Sequence, residues 1–131
     1  MPVFENEPVI SVGLMEKVDK ACFETVGTLL INDKELSSGK YNILCKKNII
    51  TLVDPNGNEA FVSNELEIKP RALNESSFII NDIKIGIDFH WERFRDQEFR
   101  GSLKIKAISS KRFTLINIIP LETYLEAVIC S

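Results

Sequence analysis

One nine-residue run, from Ile83 to Trp91, constrains the fold of this chain more than any other part of its sequence. Its odd-numbered positions are all apolar, and its even-numbered positions are polar or glycine. Successive side chains of a β-strand point to opposite faces, so a period of two predicts a strand with one buried face. Residues 100–107 alternate in a similar way, and residues 112–119 are apolar on both faces, which is typical of a central strand.

Short runs of β-branched and aromatic residues predict further strands, at 8–14, 22–31, 41–45, 48–53 and 59–63. Before the last of these, Pro55 suits the second position of a type I turn, and Gly57 can adopt a positive φ. We therefore predict a mainly β fold, in which antiparallel strands and hairpins form a small sheet, a sandwich or a barrel-like unit, with one C-terminal helix.

The last residues, 120–131, are predicted as a helix that follows the strand 112–119. Apolar side chains recur there at helical spacing, at Leu121, Leu125, Val128 and Ile129. The polar connector 69–76 is the best candidate for a domain boundary. It divides the chain into an N-terminal β-rich region, 1–70, and a second β region, 77–131, which ends in the strand and the helix.

The composition and charge of the chain exclude several classes of function. Its 131 residues are 44% hydrophobic and 27% charged, with a net charge of −3, so it lacks the basic surface of a nucleic-acid-binding protein. No apolar run reaches the ~18 residues of a transmembrane helix, and the opening MPVFENEPV does not resemble a signal peptide. For the cysteines, Cys22, Cys45 and Cys130, we predict buried free thiols, with a disulfide between two of them as the alternative.

Three polar side chains, Asp88, His90 and Glu92, fall on one face of the predicted strand, at intervals of ~6.6 Å. Such a row forms a solvated polar face or, with a ligand from another strand, a metal site. We predict the solvated face, with no metal and no cofactor. His90 is the only histidine of the chain, which excludes a serine–histidine–aspartate triad.

The stretch HWERFRDQEFRG, residues 90–101, interleaves aromatic residues with arginines. Two interpretations remain open: these side chains stack on sugar rings and hydrogen-bond their hydroxyl groups, or they close one edge of the core through compensated ion pairs. In the first interpretation the glycan contacts come from His90, Trp91, Arg93 and Arg95. Glu122 and Glu126 lie one helical turn apart, which suits either the paired carboxylates of glycoside chemistry or two solvated residues.

The C-terminal stretch INIIPLETYLEAVICS resembles the start of the SpoIID/LytB domain, the family of the sporulation protein SpoIID and the amidase enhancer LytB. In that family a strand ending in asparagine leads into a PLExYL helix start and then a V(I/V)xSEM segment. The residues that fit this order are Asn117, Pro120, Leu121, Glu122, Tyr124, Leu125, Val128, Ile129 and Ser131. The stretches PVISVGLM and IGIDFHWERFRDQEFRGSLKI are similar to parts that precede the catalytic domain in one bacterial branch.

The resemblance implies a protein that acts on bacterial peptidoglycan. SpoIID-like proteins are lytic transglycosylases that cut glycan strands freed of stem peptides, and their catalytic acid is the glutamate of the SEM segment. Ser131 matches the serine of that segment and is the last residue given, so the resemblance implies an N-terminal portion, truncated before the catalytic glutamate. The motif residues nearest the catalytic site would be Asn117, Glu122, Tyr124 and Ser131.

From this resemblance we expect a chain that is inactive alone and serves as a scaffold or glycan-contacting module of a lytic transglycosylase or amidase enhancer. Its expected partners are peptidoglycan glycan strands and an amidase. The family implies the cell envelope, although the chain itself indicates no compartment. The alternative is a non-catalytic protein-interaction or carbohydrate-binding module. In either case the apolar stripe of the C-terminal helix, if nothing covers it, predicts a homodimer.

Overall fold

The computed structural model describes residues 8–72, 75–85 and 93–130, and it describes the side chains of these residues except in 82–85, 93–96 and 126–130. Within these residues the chain forms twelve β-strands and one α-helix. They are β1 (Val9–Val18), β2 (Lys20–Val26), β3 (Leu29–Ile31), β4 (Lys34–Glu35), β5 (Lys40–Lys46), β6 (Ile49–Val53), β7 (Glu59–Ser63), β8 (Glu65–Pro70), β9 (Ser77–Ile85), β10 (Arg93–Phe99), β11 (Ser102–Ala107), β12 (Phe113–Pro120) and α1 (Leu121–Cys130).

The strands form two antiparallel sheets of six strands each. The first sheet has the order β1-β12-β11-β8-β3-β4, and the second has the order β10-β9-β2-β5-β6-β7. Their inner faces contribute to one core, whose largest fully buried side chains include Phe23, Tyr41, Phe78 and Phe113. The prediction of a mainly β fold with one C-terminal helix is confirmed, and the arrangement is a two-sheet sandwich.

A glycine divides one predicted strand into two. Residues 22–31 were expected to form a single strand, but β2 ends at Val26 in the second sheet and β3 begins at Leu29 in the first. Gly27 lies between them with φ +74°, and a Cβ atom there would collide with the backbone oxygen of Glu75. The expectation was wrong because the chain changes sheets at this residue, which only glycine accommodates without strain.

Two-residue turns close two of the hairpins. Asn32 and Asp33 have φ of 51° and 65°, and Lys47 and Asn48 have φ of 55° and 64°. Two successive positive φ angles are the signature of type I′ turns, which suit the twist of paired strands. These turns hold β3 against β4 and β5 against β6.

The longer loop at residues 54–58 has the predicted turn chemistry. The N–H of Gly57 donates to the backbone oxygen of Asp54 at 2.9 Å, and Gly57 has φ +88°. The Asp54 side chain also accepts from the N–H groups of Asn56 and Asn58, each at 2.9 Å. The prediction of a turn here with Gly57 at positive φ is confirmed.

The boundary predicted at residues 69–76 is not marked by a break in strand pairing. β1 pairs with β12, β8 pairs with β11, and β2 pairs with β9. Both sheets therefore combine strands from the regions 1–70 and 77–131, and residues of both regions lie in the one core. β8 itself, Glu65–Pro70, was not predicted.

The C-terminal elements lie close to their predicted positions. β12 runs from Phe113 to Pro120 between β1 and β11, as expected of a central strand, and α1 follows without a gap. The alternating run 83–91 overlaps β9 only at its first three residues, and positions 86–92 lie outside the described residues. In the part of the chain that the structure describes, no helix has the length and apolar character needed to span a bilayer.

Candidate functional site

Two of the residues predicted to contact glycan, Arg93 and Arg95, lie in a two-stranded ribbon at one end of the second sheet. β2 pairs with β9 only from Ser77 to Ile80, whereas β10 pairs with β9 as far as Ile85. Beyond Ile80, β9 and β10 therefore continue as a two-stranded ribbon past the pairing with β2. Arg93 and Arg95 lie on this ribbon, opposite Ile85 and Ile83. Their side chains are outside the description, as are His90 and Trp91 altogether.

A register shift marks the root of the ribbon. Arg95 pairs with Ile83 and Gln97 pairs with Ile80, so two residues of β9 face one residue of β10 between these pairs. The extra residue makes a β-bulge, which bends a strand and increases its twist. The ribbon therefore begins where β9 both bulges and leaves β2.

Four polar side chains gather at this root, on the face of the second sheet that points away from the core. The Asn81 Nδ2 group donates to the Glu24 carboxylate at 3.2 Å, and the Ser77 hydroxyl donates to the Glu98 carboxylate. Glu24 and Glu98 lie on either side of Ile79 in the strand register. We call these four residues, Glu24, Ser77, Asn81 and Glu98, the acceptor cluster.

The acceptor cluster contains one buried oxygen without a partner. Asn81 is 6% exposed, and its Oδ1 atom has no hydrogen-bond partner in the described part of the chain. A buried acceptor left without a donor costs ~1–3 kcal/mol, so this atom favours an incoming hydroxyl, amine or water. Because Asn81 Oδ1 is buried, the carboxylates of Glu24 and Glu98 are the acceptors of this cluster that face solvent. Among the described residues, no group of three or more His, Cys, Asp or Glu side chains is placed to hold a metal ion.

The motif residue Asn117 has a structural role in the first sheet. It is 3% exposed, and its Nδ2 group donates to the backbone oxygens of Arg100 and Ser102, at 2.8 and 3.0 Å. These two residues flank Gly101, where the chain turns from β10 in one sheet to β11 in the other. Asn117 therefore fixes the corner through which the ribbon joins the rest of the molecule.

The remaining motif residues lie at the start of α1. The backbone N–H of Leu121 donates to the oxygen of Pro8 at 2.9 Å, which ties the first turn of the helix to the start of β1. Glu122 is exposed in that first turn, where an acidic side chain complements the helix dipole. Tyr124 is half-buried, whereas Ser131 lies outside the described residues. Glu122 and Tyr124 therefore lie two positions apart on one short helix, where their side chains point to different faces.

The remaining predicted polar residues are those of the metal row and of the carboxylate pair on the helix. Asp88, His90 and Glu92, considered as a metal row, all lie outside the described residues. Glu126 lies within α1, but its side chain is not described, so the carboxylate pair with Glu122 stays a prediction.

The side chains of two of the three cysteines, Cys22 and Cys45, are described, and both are free thiols. Cys45 is buried, and its sulfur lies 3.7–3.9 Å from the backbone oxygens of Ser109, Ser110 and Arg112. Burial raises the pKa of the Cys45 thiol. Cys22 is only half-buried and donates to Asn42 Oδ1 at 2.8 Å. The prediction of buried free thiols is therefore confirmed for Cys45 and wrong in its burial for Cys22.

The acceptor cluster was not among the predicted site residues. Asn81 and Glu24 are separated by 57 positions in the chain, and Ser77 and Glu98 by 21. Each is an ordinary polar residue in its local context, and only the pairing of β9 with both β2 and β10 brings them together. The one local signal was Asn81-Asp82, two polar residues in succession that interrupt the alternation of β9.

Comparison with known proteins identifies no relative of this chain. No family model, no curated protein and no solved structure matches this chain.

Proposed function

We propose that this chain is a non-catalytic, glycan-contacting scaffold region of a SpoIID/LytB-like cell-wall protein, either a lytic transglycosylase or an amidase enhancer. The sandwich would serve as a rigid base, and the ribbon of β9 and β10 would contact peptidoglycan glycan strands. In this proposal the C-terminal helix belongs to the part of the protein that carries out or regulates the chemistry, and an amidase is a further candidate partner.

The observation that carries the proposal is the acceptor cluster beside the arginine-bearing ribbon. Sugar rings present many hydroxyl donors, which suit the carboxylates of Glu24 and Glu98. Arginines such as Arg93 and Arg95 add donors for the ring and carbonyl oxygens of the sugar units, since a guanidinium group carries several N–H groups. A surface with both acceptors and donors, close to Trp91 in the sequence, has the chemistry that a polysaccharide requires.

Binding to stripped glycan is the decisive test. The chain should sediment with insoluble peptidoglycan from which the stem peptides have been removed. The double variant Arg93→Ala/Arg95→Ala should weaken binding by at least about tenfold, which corresponds to ~1.4 kcal/mol. Arg71→Ala is the matched control, because Arg71 is an exposed arginine just after β8 of the other sheet, and its ion pair with Glu35 is solvent-exposed. Equal losses in both variants, or no sedimentation of the wild type, would contradict the proposal.

Catalysis is tested separately on the same substrate. The 131-residue chain should release no soluble sugar products from stripped glycan, because the glutamate that the family uses as its acid is not in this sequence. Turnover by this chain would overturn the non-catalytic assignment even if the binding result held.

A protein-interaction module is the second candidate function, and one observation favours it. Three of the exposed large hydrophobic side chains, Leu44, Ile49 and Val62, lie on neighbouring strands of the second sheet. If the chain does not bind stripped glycan but binds another protein through this face, the second function is the correct one.

A further inference from the structure

Three of the four sheet edges carry features that oppose pairing with another strand. β1 is interrupted by two register shifts against β12, and β4 has only two residues. The sequence of β10, RFRDQEF, has four charged residues. Bulges, short length and charge are the usual means by which proteins protect an edge from edge-to-edge association.

The fourth edge, β7, has little of this protection. Its sequence EAFVS contains one charged residue, Glu59, and neither lysine nor proline. Its one register shift against β6 lies near its start, between the pairs Val53–Glu59 and Leu52–Phe61, and from Phe61 to Ser63 the pairing is regular. The end of β7 thus offers a short, regular and nearly uncharged strand edge.

An apolar row leads to this edge across the outer face of the second sheet. Leu44 of β5 pairs with Thr51 of β6, which pairs with Val62 of β7. Leu44 is 46% exposed and Val62 is 56% exposed. A shallow depression of about 380 Å³ borders the same row, with Lys46, Lys111 and Glu59 at its rim. The row ends abruptly at Val62, because no described strand follows β7.

We infer that β7 is the contact strand of a weak homodimer, in which two copies of this chain pair antiparallel about a twofold axis at Val62. The axis brings the two Val62 side chains together and joins the apolar rows of both copies into one. Phe61 then pairs with the partner's Ser63, so only the regular part of the strand is used. A twofold axis makes such a contact closed, and a dimer of this kind does not grow into a fibre.

The charges around this contact are compatible with a second copy. Glu59 lies outside the three residues that pair. The next charged residue along the chain, Glu65, belongs to the other sheet and forms an ion pair with Lys104 at 3.4 Å. A pairing of three residues buries little surface, so the dimer is expected to be reversible and visible only at high concentration.

Sedimentation equilibrium from ~5 µM to ~1 mM tests the inference. The wild type should show a reversible monomer–dimer equilibrium. Val62→Lys should raise the dimer dissociation constant by at least about tenfold, because it places two ammonium groups at the axis. Val9→Lys is the matched control: Val9 is 58% exposed, also on an edge strand, but on β1 of the first sheet, and its substitution should leave the equilibrium unchanged.

Cross-linking provides a second test, which remains valid even if Val62→Lys disturbs the folding of the chain. In a background with Cys22→Ser and Cys130→Ser, Val62→Cys should form a disulfide-linked dimer under mild oxidation, because residues paired directly across antiparallel strands lie within disulfide reach. Val9→Cys in the same background should remain a monomer.

Several outcomes would overturn the inference. These are a wild type that is monomeric at every concentration, equal effects of Val62→Lys and Val9→Lys, and a dimer that Leu125→Lys removes while Val62→Lys does not. The last result would assign the dimer to α1, where Leu125 is 43% exposed. The inference would also be wrong if the chain stayed monomeric and β7 bound an extended peptide instead of a second copy.

Discussion

Two antiparallel hairpins of the second sheet, β5–β6 in its interior and β9–β10 at one edge, are anchored to the molecule in different ways. In the first hairpin, β5 and β6 place five side chains of their inner faces in the core: Tyr41, Ile43, Cys45, Ile50 and Leu52. In the second hairpin, the described side chains of β9 that enter the core are Phe78 and Ile80, near its start, and the ring of Phe99 in β10 stacks on that of Phe78 with centroids 5.8 Å apart. Both strands of the first hairpin thus contribute to the core, whereas the second hairpin pairs with β2 only at its root.

Because of this difference, the residues that stabilise the fold are not the residues that we propose for glycan contact. An isolated two-stranded hairpin is marginal in water, so the ribbon depends on the bulge, the acceptor cluster and the corner at Gly101 for its position. Substitutions in the first hairpin should therefore change the free energy of unfolding of the whole molecule. Substitutions along the ribbon should change binding more than stability.

The largest expected effect comes from Ile43→Ala in the first hairpin. Ile43 is fully buried, and loss of its side chain should lower the free energy of unfolding by ~3–4 kcal/mol through lost burial and the cavity left behind. Leu44→Ala, next in the chain but 46% exposed, should cost less than ~1 kcal/mol. Urea denaturation followed by circular dichroism measures both. Similar losses for the two variants would show that the outer face of the first hairpin is packed like its inner face, and would contradict the contrast between the two hairpins.

The next largest effect tests whether the turn at Gly101 holds the ribbon in place. Gly101 and Gly57 have nearly the same φ, +86° and +88°, but a Cβ at Gly101 would lie 2.5 Å from the Ile118 oxygen, whereas nothing lies within 4 Å at Gly57. Gly57→Ala should therefore cost only the ~1 kcal/mol of the left-handed conformation, and Gly101→Ala about 2 kcal/mol more.

Chemical denaturation of the two glycine variants gives the difference directly. Because the backbone strain is common to both, the difference isolates the contact between the corner and β12. If the two alanine variants unfold at the same denaturant concentration, the corner is not rigid and the ribbon is not fixed through it.

The smallest effect concerns the two described thiols. Cys22 should react with iodoacetamide well before Cys45 in the folded protein, and both should react alike in urea, because burial raises the pKa of the Cys45 thiol above its ordinary value of 9.0. Well below pH 9.0 the thiol is protonated in both states and its contribution to stability is complete. As the pH rises further, the unfolded thiol loses its proton first, so the free energy of unfolding falls.

The variant Cys45→Ala provides the reference for this pH dependence. The loss of stability above pH 9.0 should be weaker in the variant than in the wild type. If the free energy of unfolding depends on pH in the same way in both proteins, or if Cys45 is alkylated faster than Cys22, Cys45 is not buried as the structure shows.

The sequence was sufficient to predict elements whose pattern is local. The central strand β12, the helix after it and the turn around Gly57 lie where alternation, helical spacing and turn residues indicated. β8 was missed although its pattern was present: Leu66 and Ile68 are buried between Glu65, Glu67 and Lys69, and a charged alternating run can also be read as a connector.

What could not be predicted depends on pairing between distant segments. The division of 22–31 at Gly27 follows from the approach of residue 75, which no local pattern shows. Asn117 was singled out through a family motif, yet its two hydrogen bonds to Arg100 and Ser102 become evident only once β11 lies beside β12. The acceptor cluster likewise requires three strands to be aligned before its members meet.

The contact between Pro8 and Leu121 has a mechanical consequence. Val9 pairs with Pro120 as the outermost pair of β1 and β12, and both strands leave the sandwich at this same end. A force applied through Pro8 and Leu121 would open the ladder one hydrogen bond at a time, like a zipper, instead of loading all of them together in shear. The molecule should therefore yield at low tension when pulled between these two points, and β1 should peel away before the second sheet is disturbed.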